Sequence, residues 1–189
     1  MNIAIFGGSF DPIHTGHAIV ANYISQLQDI DEVWLMVSPR NPMKTQSPSA
    51  DFNHRLEMCR VVARRSAKIK ASDFEASLVP PLYTINTLRE LKRKYPEHEF
   101  SLIIGADNLK IFHNWKDSQE LINEFGVIVY PRPGFTLSGE EEKFRLIREC
   151  PECDLSSTKI KKMIAEGKNI NFMVPCEVAE YINKHHLYE

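Results

Sequence analysis

"IAIFGGSFDPIHTGH", residues 3–17, decides how the chain is read. Ile3 to Phe6 is an apolar run of strand character, and Gly7 and Gly8 follow it directly. From Gly16 the pattern changes. Val20, Tyr23, Ile24 and Leu27 fall at i, i+3, i+4 and i+7, one face of a helix over 16–27. A strand running through glycines into a helix is the first turn of an α/β sheet, where ligands bind outside the carboxyl ends of the strands. Glycines there let backbone N–H groups come close to an anion, and the helix start adds its positive end. His14 and His17 flank that start. Each can donate a hydrogen bond to a phosphate oxygen, more strongly when protonated. The plain alternatives are a tight turn for the glycines and a metal pair for the histidines. The G-x-G-x-x-G of dinucleotide-binding dehydrogenases is absent, as is the G-K-[ST] of a P-loop.

Outward from this stretch, strand-like and helix-like segments alternate. Residues 32–38, "EVWLMVS", read as a strand ended by Pro39, and 41–48 as a loop. A helix is expected over 52–65, with Leu56, Cys59 and Ala63 inward and its arginines outward. A short strand at 68–71, a helix over 83–95 and a strand at 99–105 follow. Then come a helix over 117–124, a strand at 126–130, and helices over 157–166 and 175–185. Strands alternating with long helices predict an α/β class with a doubly wound, mostly parallel sheet. The last two helices form a small C-terminal helical appendix. No repeat or linker interrupts the pattern, so a single domain over 1–189 is expected, with 156–189 as its helical subdomain.

The composition is globular: 189 residues, 43% hydrophobic and 25% charged. A net charge of −2 argues against a dedicated nucleic-acid partner. No apolar run reaches membrane-spanning length and no signal-peptide pattern opens the chain, so a cytoplasmic protein without a membrane partner is expected. Cys150 and Cys153 form a C-x-x-C, but a structural zinc site needs about four ligands, and no second pair stands at a fitting spacing. They are read as thiols, and no protein metal site is expected.

The string "GGSFDPIHTGH" (7–17) resembles the signature of the HxGH nucleotidyltransferases. Five further blocks extend the resemblance over nearly the whole chain, to the bacterial nicotinate mononucleotide adenylyltransferases within that class. They are "PLYTINTLREL" (81–91), "IIGADNLKIFHNW" (103–115), "VYPRPG" (129–134), "SSTKIKKMI" (156–164) and "VPCEVAEYINKHHLY" (174–188). The resemblance implies a Rossmann-like nucleotidyltransferase fold. It also implies attack of a mononucleotide's 5′-phosphate on the α-phosphorus of ATP, with Mg²⁺ accompanying the ATP and pyrophosphate leaving. The two substrates would be ATP and nicotinate mononucleotide. The attacking phosphate is already nucleophilic, so donors and positioning are needed rather than a triad.

Carried over residue by residue, the resemblance implies catalytic roles for His14, His17 and Lys44. It gives ATP Gly7, Gly8, Ser9, Phe10, Gly105, Asp107, Arg132, Ser156, Ser157, Thr158 and Lys161. It gives the mononucleotide Lys44, Arg55, Thr84 and Trp115. Ser156 to Thr158 are also natural helix caps, and Asp107 is another candidate cap. Trp115, in the polar setting "FHNWKD", offers a ring face for stacking. The sequence departs from the family pattern where Lys161 stands for Arg and Asn86 for Asp, and the loop carrying Lys44 is short. With no Arg or Lys adjoining Thr84 and Lys116 set aside as pointing away, backbone N–H groups near Thr84 and Trp115 are the expected readers of the nicotinate carboxylate. Two other readings stand: another enzyme of the class, such as a phosphopantetheine adenylyltransferase, and a non-catalytic nucleotide-binding module. Presence of both His14 and His17 favours an enzyme. A homo-oligomer is compatible with the sequence, which does not set the oligomeric state.

Overall fold

The computed structural model describes residues 1–39, 50–136 and 142–189. Lys44 and the expected loop at 41–48 lie outside them. The strands are β1 (Asn2–Gly8), β2 (Glu32–Val37), β3 (Ile69–Ser72), β4 (Glu99–Gly105), β5 (Val127–Tyr130) and β6 (Arg145–Leu146). Among the described residues they form one sheet in the order β3-β2-β1-β4-β5-β6. Every pairing is parallel. The chain winds outward through β2 and β3, then returns to lay β4 on the other side of β1. The strand order therefore reverses between β1 and β4, and a crevice opens at their carboxyl ends. This is the expected doubly wound, Rossmann-like sheet.

Helices cover both faces, so the central strands are apolar on both sides. Ala4 and Phe6 point into a core with Val20 and Ile24 of α1 (Thr15–Ser25) and Leu56, Cys59 and Val62 of α2 (Phe52–Ala63). Ile160 of α6 (Ser157–Ala165) and Val178 and Ile182 of α7 (Cys176–Lys184) join that core. Ile3 and Ile5 point the other way, onto Ile85, Leu88 and Leu91 of α3 (Thr84–Lys94). Those three α3 side chains are fully buried. At about 1.5–3 kcal/mol each, they hold the helix firmly on the sheet.

The structure corrects the sequence reading in four places. The segment expected as a helix over 117–124 is a single turn, α5 (Ser118–Glu120), passing into a π-helical turn at Leu121–Phe125. Asp117, left-handed at φ 49°, starts it. β6, the 3₁₀ turn Phe74–Ser77 and the one-turn helix α4 (Leu109–Phe112) were not expected; each is too short to show a period. In α2, Val62 takes the buried place and Ala63 is half-buried. Arg55, expected outward, is 2% exposed.

The C-terminal helices are tied to the first loop. Thr15 N–H donates to Met173 O at 2.9 Å, and Thr15 Oγ1 donates to Phe172 O at 2.9 Å. Ser157 Oγ donates to Pro12 O at 2.9 Å, and Tyr188 Oη donates to Asp11 Oδ1 at 2.9 Å. Among the described residues no helix is long and apolar enough to cross a membrane.

Candidate active site

A cleft of about 930 Å³ lies along the carboxyl ends of β1 and β4. Gly7, Gly8, Ser9 and Phe10 line it, with His14 and His17 beside them. Gly105, Asp107, Thr84, Trp115, Arg132, Ser156, Ser157, Thr158 and Lys161 line it too. Residues from five separate blocks of sequence thus share one cavity. Arg55 does not.

The start of α1 has an unusual cap. His14 is the N-cap and its Nδ1 accepts the His17 N–H at 3.3 Å, while His17 Nδ1 accepts the His14 N–H at 3.2 Å. Two imidazoles thus take the reciprocal places usually held by Ser and Glu. The rings stack at 3.6 Å and 21°. Because both Nδ1 atoms accept, this bonding pattern assigns the proton to Nε2 in each neutral ring, leaving each with one N–H donor. Gly16 makes the stack possible: a Cβ there would meet the His14 ring at 3.1 Å.

His14 is 3% exposed, and burial, aided by the nearby Arg132 charge, lowers its pKa to about 4. It therefore donates as a neutral imidazole near pH 7, and added strength from protonation does not apply to it. In the unfolded chain its pKa returns to 6.5. Between pH 6.5 and 4 the unfolded chain then binds the extra proton, so stability falls as pH falls. From pH 7 to 4.5 this histidine should account for a loss of about 2–3 kcal/mol. Urea unfolding at the two pH values checks it: His14→Asn, which keeps a capping side chain, should show a loss smaller by that amount.

The glycines differ in purpose. A Cβ on Gly8 would press on the Phe10 ring at 3.1 Å, and one on Gly105 would collide with the Asp107 carboxylate. Gly7 has nothing within 4 Å of the place its Cβ would take, so no neighbour requires a glycine there. The open space lies in the cleft. Gly7→Ala should keep the parent's unfolding midpoint yet weaken ATP binding roughly tenfold, about 1.4 kcal/mol. Calorimetric titration with a non-hydrolysable ATP analogue, set beside a thermal melt, measures both. Phe10 adopts φ 46° and buries its ring edge-on against Phe6 and His17, at 5.8 and 5.1 Å.

Asp11 is 5% exposed and joins three regions. Its Oδ1 accepts Ala50 N–H at 3.1 Å and Tyr188 Oη at 2.9 Å, and its Oδ2 pairs with Lys161 Nζ at 2.8 Å. Lys161 is thus an ion-pair partner as well as a cation at the cleft wall. Removing it takes a charged hydrogen-bond partner from a buried carboxylate, a cost of about 1–3 kcal/mol. Lys161→Ala should therefore lower both the melting temperature and the affinity for ATP, whereas Lys161→Arg should retain both. An unchanged melt for Lys161→Ala would dissolve the structural half of this role. At the start of α6, Ser156 Oγ accepts Lys159 N–H at 3.2 Å as a true N-cap. Ser157 is the tether to Pro12, and Thr158 lines the cavity.

On the β4 side, Asp107 sits within a 3₁₀ turn that no side chain caps, with Oδ1 3.9 Å from Arg132 Nε. Arg132 also donates to Cys153 O at 3.4 Å. Trp115 is half-buried, its ring 5.4 Å from Phe112. Lys116, set aside by the sequence reading, lines the cleft with Nζ 5.7 Å from the Tyr83 ring centroid, beside Thr84.

Arg55, expected outward on α2, turns inward instead. Its guanidinium donates to four backbone carbonyls: Ser9 O at 2.7 Å, Ser38 O at 2.8 Å, Ala50 O at 3.1 Å and Pro39 O at 3.2 Å. A guanidinium so engaged holds the loop ends beneath the cleft. The sequence reading also missed Glu75. It is 6% exposed, lines the cleft, and accepts Thr87 Oγ1 at 3.0 Å and the Ser38 hydroxyl. Burial pushes its carboxyl up, and the two hydroxyls partly offset that.

A parallel sheet with its order reversed beside β1, a histidine-capped helix at the turn and a hydroxyl-capped helix facing it define a nucleotidyltransferase. The cytidylyltransferase-like family model matches residues 5–163. A probable nicotinate-nucleotide adenylyltransferase of Flavobacterium johnsoniae is 40% identical over 196 residues, covering all of both chains. One of Cytophaga hutchinsonii is 42% identical over 96% of this chain and 95% of its own. Among solved structures, Plasmodium falciparum nicotinic acid mononucleotide adenylyltransferase complexed with NaAD superposes with a TM-score of 0.81. It is 28% identical, over 99% of this chain and 97% of that one. The chain belongs to the nicotinate-nucleotide adenylyltransferase family, and it is an enzyme of the nucleotidyltransferase kind.

Proposed function

We propose that the cleft transfers the adenylyl group of ATP to the 5′-phosphate of nicotinate mononucleotide, giving nicotinate adenine dinucleotide and pyrophosphate, a step of NAD biosynthesis. The observation that carries this is the pair of histidines that cap the start of α1, in one cavity with the start of α6. An oxygen of the mononucleotide phosphate attacks the α-phosphorus as the bond to the bridging oxygen breaks. Negative charge grows on the leaving pyrophosphate, and preorganised donors in a partly dry cleft stabilise it. His14 and His17 are the donors proposed for it. Backbone N–H groups after Gly7 and at Ser156–Thr158 assist, as helix starts do for phosphate. Lys44 joins them on the family resemblance alone.

Magnesium enters with ATP as part of the substrate. The acidic groups of the cleft are already engaged: Asp11 by Lys161, Tyr188 and Ala50, Glu75 by Ser38 and Thr87, and Asp107 by Arg132. Such a donor set suits an ion that keeps its water and rides on phosphate oxygens. Asp107 is proposed for the ATP ribose, Arg132 for the adenine side, Trp115 for stacking on the pyridine ring, and Thr84 with Lys116 for its carboxylate.

A panel of acceptors with ATP, read by product mass and pyrophosphate release, tests the assignment. Nicotinate mononucleotide should give the dinucleotide with one pyrophosphate each. Phosphopantetheine turnover, or binding without turnover, would refute it.

A further inference from the structure

Two halves of the cleft have to be held in register. The phosphate-facing half is the turn at Gly8 and Ser9, and the acceptor-facing half is the start of α3 at Thr84. They lie on different connections, separated by α1, β2, α2 and β3 in the chain. One polar line joins them. Ser38 N–H donates to Gly8 O at 2.9 Å, and Arg55 Nη1 donates to both Ser9 O and Ser38 O. The Ser38 hydroxyl donates to Glu75 Oε2, and Thr87 Oγ1 donates to Glu75 Oε1 at 3.0 Å. Thr87 lies three residues after Thr84, hence on the same face of α3. Arg55, Glu75 and Thr87 are each under 7% exposed.

A carboxylate is a costly group to bury beside a site for an anionic substrate. Apolar packing of Ile85, Leu88 and Leu91 already fixes α3 against the sheet. Apolar contacts are non-directional, so they specify no hydrogen-bonded register between the two halves of the cleft. A carboxylate taking one hydroxyl from each half does set it.

We propose that Glu75 is a positioning residue for the transfer: by bridging Ser38 and Thr87 it aligns the acceptor-binding start of α3 with the phosphate-binding turn. The inference rests on Thr84 belonging to the mononucleotide half of the cleft.

Steady-state kinetics with each substrate varied in turn test it. Glu75→Ala should raise KM for nicotinate mononucleotide about tenfold or more, with KM for ATP within about twofold of the parent. Thr87→Val, nearly isosteric but without the donor, should reproduce that split, and Thr87→Ser should bring KM for the mononucleotide back toward the parent's. A purely structural carboxylate gives another pattern: a lower melting temperature and fewer active molecules, with both KM values at the parent's. That pattern, or a parent-like acceptor KM in Thr87→Val, would overturn the proposal. A parent inactive with nicotinate mononucleotide would instead refute the substrate assignment. If Glu75→Ala does not fold, the two Thr87 variants decide alone.

Discussion

His17→Ala should turn over about 10²–10³-fold more slowly than the parent while binding ATP with an affinity changed far less, the loss expected for one donor aimed at developing charge. The reason is geometric. His17 Nδ1 accepts the His14 N–H at 3.2 Å, so Nε2 is the nitrogen proposed to donate to the leaving group. The contacts proposed for the ground-state nucleotide with the turn and with α6 do not involve this donor, so affinity should be largely preserved. The leaving pyrophosphate gains charge only as the reaction proceeds, so the missing donor is felt in kcat. His17→Asn should recover part of the loss, because an amide can donate from a similar place and also accept the His14 N–H. Near-normal turnover in His17→Ala would remove the residue from the chemistry and leave it a helix cap. Single-turnover rates beside ATP affinity make the separation.

The second large effect concerns the acceptor. Nicotinate mononucleotide should be preferred over nicotinamide mononucleotide by roughly 10²-fold or more in kcat/KM, because a site furnished with donors leaves them unpaired against an amide NH₂. The structure alters the source of that preference. Lys116 Nζ sits by the Tyr83 ring, next to Thr84 and in the same cleft as Trp115. A cation there favours a carboxylate over a carboxamide by charge as well as by hydrogen bonding. Lys116→Met should therefore lower kcat/KM for the nicotinate form and leave that for the nicotinamide form nearly unchanged, narrowing the ratio. Measured with ATP saturating, a ratio near one in the parent would refute the proposed pocket. An unaltered ratio in Lys116→Met would return the discrimination to backbone groups.

The fold was legible because each long element carries its own period. β1, β2, β4 and the helices α1, α3, α6 and α7 fall within a few residues of their expected places. The segment at 117–124 failed because its helical pattern spans barely two turns and Asp117 enters it in a left-handed conformation. The wall of the cleft at the end of β1 was legible for a local reason: Gly7 to His17 is one continuous string. Arg55 was misread because its partners are carbonyls, which leave no mark in a sequence. An arginine is normally outward on a helix, and the convergence of the Ser9, Ser38, Pro39 and Ala50 carbonyls makes a buried one tolerable. Glu75 and Lys116 stand in no pattern of their own. Their meaning comes from neighbours on other elements, as does the pairing of Lys161 with Asp11 across 150 positions.

The central claim is that transfer is a single in-line displacement at the α-phosphorus, with no nucleophile supplied by the protein. ATP made chiral at that phosphorus by oxygen isotopes and sulfur reports it directly. The dinucleotide formed from nicotinate mononucleotide should carry the inverted configuration, as one displacement requires. Retention would mean two displacements through an adenylylated side chain and would contradict the account.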